Sequence, residues 1–169
     1  MIINAVLGVA LVVSLITDIR SRKILNIVTF PAILFGLIYY SIADGFSGFL
    51  FSGAGFLVGF ALLLLPYLLG GMGAGDVKLM AAIGALTGIS FVLYSFVYTA
   101  LIGGAISIFL IMKKRGVFNS IKSFFFSVIY LRSSLGSLIF PKEKQNSIAF
   151  PYGVAIVFGT VCAFIWGGF

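Results

Sequence analysis

Six apolar stretches separated by short polar or glycine-rich breaks run along the chain, at approximately 2–17, 27–43, 48–69, 77–88, 90–112 and 148–168. Most approach the ~20 residues that a helix needs to cross the hydrocarbon core of a bilayer. The fourth is short for a straight span, and calls for a tilt or a break near Gly84 and Gly88, covered by neighbouring helices. A different pattern occupies 118–140, FNSIKSFFFSVIYLRSSLGSLIF. There Ile121, Phe124, Phe125, Val128, Leu131, Leu135 and Leu138 recur at helical spacing, with serines, Asn119 and Lys122 mainly on the other side. That periodicity predicts an amphipathic helix lying in the headgroup region. Arg132 near its middle argues against a seventh span. The predicted fold is all-α: a polytopic membrane protein of about six transmembrane helices with one cytoplasmic interfacial helix.

Composition agrees with the pattern. Of the 169 residues, 62% are hydrophobic and 9% charged, and the mean hydropathy is +1.24. A soluble domain carries roughly 25% charged residues. No polar stretch is long enough for a separate soluble domain, so 1–169 reads as a single membrane-embedded domain. The N-terminal stretch has no basic leading region and no small-residue cleavage site, and reads as a retained first helix.

Charge sets the orientation. Eleven Lys and Arg face four acids, a net charge of +7. With the N-terminus outside, all eleven basic residues fall on inside connections: Arg20, Arg22 and Lys23; then Lys78; then seven between Lys113 and Lys144. The positive-inside rule therefore predicts both termini outside a cytoplasmic membrane, and membrane orientation replaces nucleic acid as the reason for the basic balance. Glycines are numerous in segments such as FSGAGFLVGF (51–60), where they let helices approach closely.

The chemistry is limited by what is absent. The chain has no histidine and a single Cys162, which excludes Ser-His-Asp and Cys-His catalysis and His- or Cys-built metal sites. No cofactor or metal is expected. Of the acids, Asp44 belongs to an outside turn, SIADGFSG, and Glu143 to a polar loop, PKEKQNS. Asp18 ends the first segment and Asp76 begins the fourth, so the topology brings both to the cytoplasmic membrane boundary. Singly, Asp18 reads as a terminal acid paired with Arg20 or Arg22, and Asp76 as a helix N-terminal acid favoured by the dipole. As a pair they can act as acid and base, since mutual repulsion separates the apparent pKa values of two carboxylates sharing a proton. Gly73 and Gly75 let backbone come close to Asp76.

These residues resemble a known family. GAGD (73–76) fits the Gly-x-Gly-Asp motif of membrane aspartyl proteases, and GAGDVKLMAAIG is similar to the type IV prepilin peptidases. TDIRSRKILN (17–26) resembles that family's other signature, and AFPYGVAIVFG (149–159) its C-terminal Pro-aromatic-Gly segment. The resemblance implies a membrane aspartic endopeptidase that cuts the basic leader from prepilin- or preflagellin-like precursors at the cytoplasmic face. Asp18 and Asp76 match the catalytic pair, Gly73 and Gly75 the motif glycines, and Lys78 a lysine expected to supply local electrostatics or support. Leu25 stands where the family often has proline. The paired cysteines of the larger bacterial members have no counterpart here, so the chain is similar to the compact tight-adherence and archaeal forms.

Two other readings compete. A small transporter or proton pathway would also use paired carboxylates, but prefers them deeper in the bilayer. A non-catalytic subunit of a pilus or secretion machine is the second.

Overall fold

The computed structural model describes residues 1–69, 71–114 and 152–166. It is helical throughout its regular structure: α1 is Ile2–Ser21, α2 Asn26–Leu68, α3 Ala74–Lys114 and α4 Tyr152–Trp166. Among the described residues α1, α2 and the stretch Ala74–Phe109 are long and apolar enough to cross a membrane, and α4 is a shorter apolar helix. Helices suit that solvent because each satisfies its own backbone hydrogen bonds. The predicted interfacial helix at 118–140 lies outside the described residues. The chain divides into two units, 1–103 with 150–169, and 104–149. Of the second, the description covers the last turns of α3.

Two glycines break the long helices. Gly45 (φ 61°, ψ −137°) interrupts α2, and Gly88 (φ 81°, ψ −179°) interrupts α3. Both have a positive φ that a Cβ would disfavour. At Gly45 the chain folds back on itself. Tyr40 and Phe51 would stand about 16 Å apart along a straight helix, yet their ring centroids are 4.9 Å apart. The sequence placed a connection between 43 and 48, and the reversal falls within it. For the fourth segment it offered two breakpoints, of which Gly88 is the broken one. Gly84 is helical, and its backbone packs directly on Gly55.

Small residues bring the helices together. Added Cβ atoms at Gly55, Gly59 and Gly36 would collide with the backbone of Gly84, Met80 and Ala85, respectively. Ser52 donates to the Ala85 carbonyl at 2.7 Å and Tyr40 to the Leu86 carbonyl at 3.1 Å. The stretch 77–86 is consequently the most enclosed part of the described chain, with Met80, Ala85 and Leu86 fully buried. After Gly88, α3 changes partner. Ser95 and Thr160 share a hydrogen bond of 2.7 Å, Phe91 meets Phe164, and Gly159 lies against Thr99, so α4 runs antiparallel to this part of α3. Helix α1 packs on both α2 and α4.

Candidate functional site

Helix α1 buries one face: Ile3, Leu7, Ala10, Leu11, Ser14 and Asp18. The stripe follows helical periodicity, so Asp18 occupies a core-facing position with a carboxylate. It is 4% exposed. Four residues later α1 stops. Arg22 takes a left-handed conformation (φ 51°, ψ 37°), and its N–H donates to the Asp18 carbonyl at 2.8 Å. This terminal cap turns the chain into the short connection to Asn26, which opens α2.

The start of α3 is built around Asp76. The Asp76 N–H donates to the Gly73 carbonyl at 3.1 Å, and the Gly73 N–H donates back to Asp76 Oδ2 at 3.0 Å. This is one half of a capping box, the third helical residue's carboxylate satisfying the N-cap amide, while the backbone carbonyl of Gly73, which has no side chain, takes the Asp76 N–H. The carboxylate is thus oriented by its own helix end, and Asp76 is 7% exposed. Gly75 answers a separate demand. A Cβ there would stand 2.9 Å from the Ile24 Cβ and 3.3 Å from the Ile24 carbonyl oxygen. Only a bare backbone lets the α1–α2 connection press onto the beginning of α3. At Gly73 the nearest atom to an added Cβ is Asp76 Oδ2 at 3.4 Å, an ordinary contact.

These elements enclose one cleft of about 340 Å³, lined by Asp18, residues 22–26 and residues 73–76. Asp18 and Asp76 are close enough to interact as like charges. Two motifs more than fifty residues apart therefore meet at one end of the bundle. Asp44 lies at the other end, where it lines a separate cavity with Met1, Asn4, Tyr39 and Thr87. Glu143 is outside the described residues. The pairing of Asp18 with Arg20 or Arg22 is not made through its buried Oδ2, which has no hydrogen-bond partner.

Lys78 does not line the cleft. Its Nζ donates to Asn26 Oδ1 at 2.9 Å and stands 5.5 Å from the centroid of the Phe30 ring. It fastens the first turn of α2 to the beginning of α3, through a partner that the sequence did not identify. Gly153, at the start of α4, was also missed as a site residue. Its backbone packs against Asp18, and the N–H groups of Gly153 and Val154 face the Asp18 carboxylate. The signal was present: Gly153 lies in the third motif, AFPYGVAIVFG. Among the described residues no group of three or more His, Cys, Asp or Glu is placed to hold a metal ion.

No curated protein and no solved structure matches the chain. A family model does, over residues 5–108, a stretch that includes both aspartates, the glycine motif and Lys78 and stops short of α4. The match covers more than half of the chain, and this protein belongs to the type IV leader peptidase family.

Proposed function

We propose that this protein is an aspartic endopeptidase that removes the leader of prepilin-like precursors at the cytoplasmic face of the membrane, with Asp18 and Asp76 as its catalytic pair. The observation that carries this reading is the shared cleft, in which two buried carboxylates from distant motifs meet at one end of the helices. In the reaction, the ionised member deprotonates a water that attacks the scissile carbonyl. The protonated member donates to the carbonyl oxygen, and a further proton transfer lets the amine leave. Purified protein in liposomes, incubated with a prepilin-like precursor, should yield a product shortened at its N-terminus. A precursor that stays intact while the protein remains folded would refute the proposal. The transporter reading is disfavoured because both acids sit at helix ends rather than halfway along a span.

The same reading treats the chain as one membrane-embedded domain crossing six times, with the halves of α2 and α3 on either side of Gly45 and Gly88 as separate spans. Both termini would lie outside. Cysteines introduced at Asp44 and Arg22 should react with an impermeant thiol reagent from opposite sides of sealed vesicles. Labelling of both from one side would require a different topology.

Two substitutions test the construction of the cleft. Gly75→Ala pushes a methyl into Ile24, whereas Gly73→Ala meets only an ordinary contact. Cleavage kinetics should fall at least about tenfold more for Gly75→Ala, since misplacement by about 1 Å can cost 100-fold. Lys78→Met removes the bond to Asn26 but keeps a similar stem. A partial loss of roughly 3- to 10-fold in kcat is expected, in line with about 1 kcal/mol for one exposed hydrogen bond. Asn26→Ala should reproduce it, and the double variant should be no worse than either single one.

A further inference from the structure

The end of the bundle away from the cleft carries a cavity of about 430 Å³, within the roughly 300–1,000 Å³ of small-molecule sites. It forms where both long helices break. Tyr39, Tyr40 and Asp44 come from the turns of α2 before Gly45, and Phe51 from beyond that reversal. Thr87 precedes the break at Gly88, and Asn4 belongs to the first turn of α1. Tyr40 and Asp44, four residues apart, share a helix face. The Phe51 ring packs on Gly88, where a Cβ would collide with it. Its centroid is 4.9 Å from that of Tyr40, and Tyr39 stands edge-on to Tyr40 at 5.5 Å. Three aromatic rings and one carboxylate thus line the same space.

The hydrogen bonds around this space leave it short of donors. Tyr40 donates its hydroxyl hydrogen to the Leu86 carbonyl at 3.1 Å, and Thr87 donates its own to the Ile83 carbonyl at 2.7 Å. A hydroxyl has one hydrogen and two lone pairs, so both oxygens remain only as acceptors. The Asp44 carboxylate adds two more. No Lys or Arg lines the cavity. Met1 does, yet among the described residues Asp44 makes no ion pair with its α-amino group or with any other cation. Acceptor oxygens beside aromatic faces suit a cation that carries N–H donors.

We propose that this cavity is a binding site for a primary alkylammonium group, presented by the headgroup of a zwitterionic aminophospholipid. The three N–H donors of the ammonium match the Asp44 carboxylate and the Tyr40 and Thr87 oxygens, and its charge lies among the rings. Asn4 and Tyr39 keep hydrogens to donate, which suits the phosphate next to that amine. A divalent metal ion fits this set poorly, because calcium takes six or more oxygen ligands and magnesium a near-ideal octahedron. A soluble amine offers the same ammonium without the phosphate. The site is at the opposite end of the bundle from the cleft and does not depend on the proposed cleavage.

Native mass spectrometry of the purified protein, with lipids of identical acyl chains, tests the assignment. Phosphatidylethanolamine should be retained roughly 10-fold more tightly than phosphatidylglycerol, the scale of one hydrogen bond to a charged group. Phosphatidylcholine should fall between them, since it keeps the charge but has no N–H donor. N-acetylated phosphatidylethanolamine has no cation and should bind like phosphatidylglycerol. Asp44→Asn should abolish the preference. Asp44 is exposed, so this variant should fold, and an unchanged melting temperature checks that it does. Thr87→Val removes one acceptor and Tyr39→Leu one ring, and each should weaken the preference by about 3-fold. Ethylammonium chloride, followed by saturation-transfer NMR in nanodiscs free of phosphatidylethanolamine, tests the soluble amine. Asp44-dependent ethylammonium binding without any lipid preference would overturn the headgroup as the source. Equal lipid retention by native protein and Asp44→Asn, with no Asp44-dependent ethylammonium signal, overturns the site itself.

Discussion

Asp18→Asn and Asp76→Asn should each reduce precursor cleavage by at least about 1,000-fold, the range in which members of a coupled catalytic unit fail. Asparagine preserves size and much of the hydrogen bonding, but it cannot cycle a proton. At position 76 the amide oxygen can still accept the Gly73 N–H, so the α3 cap survives and insertion should be nearly normal. At position 18 the carboxylate is buried and its Oδ2 unpartnered, so a neutral amide is no harder to accommodate. The double variant should be about as inactive as either single one, because half of a coupled pair already lacks the mechanism. Asp44→Asn, at the opposite end of the bundle, and Glu143→Gln should cleave normally. The native protein should also lose activity on both sides of a pH optimum, as the pair gains its second proton or loses its shared one. Product mass and turnover across pH check all of these. Near-native turnover by a correctly inserted Asp18→Asn protein would remove the dyad, and the proposed mechanism with it.

Gly153→Ala should cost about 100-fold in turnover with little change in thermal stability. The added Cβ would stand 2.6 Å from Asp18 Oδ2 and 2.9 Å from its Cγ. Contacts that short do not persist, so either the carboxyl group rotates or the first turn of α4 backs away. Rotation turns Asp18 away from Asp76. Withdrawal removes the Gly153 and Val154 N–H groups that face it. Both routes disturb the acid while leaving the α3–α4 contacts at Ser95, Thr99 and Thr160 in place. Gly8→Ala is the control: nothing lies within 4 Å of a Cβ there, and activity should be unaffected. Equal turnover by Gly153→Ala and native protein would mean that α4 has no part in holding Asp18.

Much of this was legible in the residues themselves. The scarcity of charge and the long apolar runs identify a helical membrane protein, because lipid leaves the backbone no partner but itself. The breaks at 44–47 and near Gly88 were readable because glycine adopts a positive φ without strain. Asp18 and Asp76 stood out because buried-depth acids are costly and only two were available. The two motif glycines were readable beside Asp76, and Lys78 through the resemblance to the family. What a linear pattern does not contain is which backbone presses on which. Gly75 is needed because Ile24 lies against it, and Gly153 because Asp18 does. Lys78 needs Asn26, far from it in sequence. Those demands arise only once α1, α2, α3 and α4 have packed. The sequence by itself determined the solvent, the helices and the chemically able residues. The tertiary structure decided that two carboxylates share one cleft, since close approach between distant segments is a property of packed surfaces and not of local periodicity.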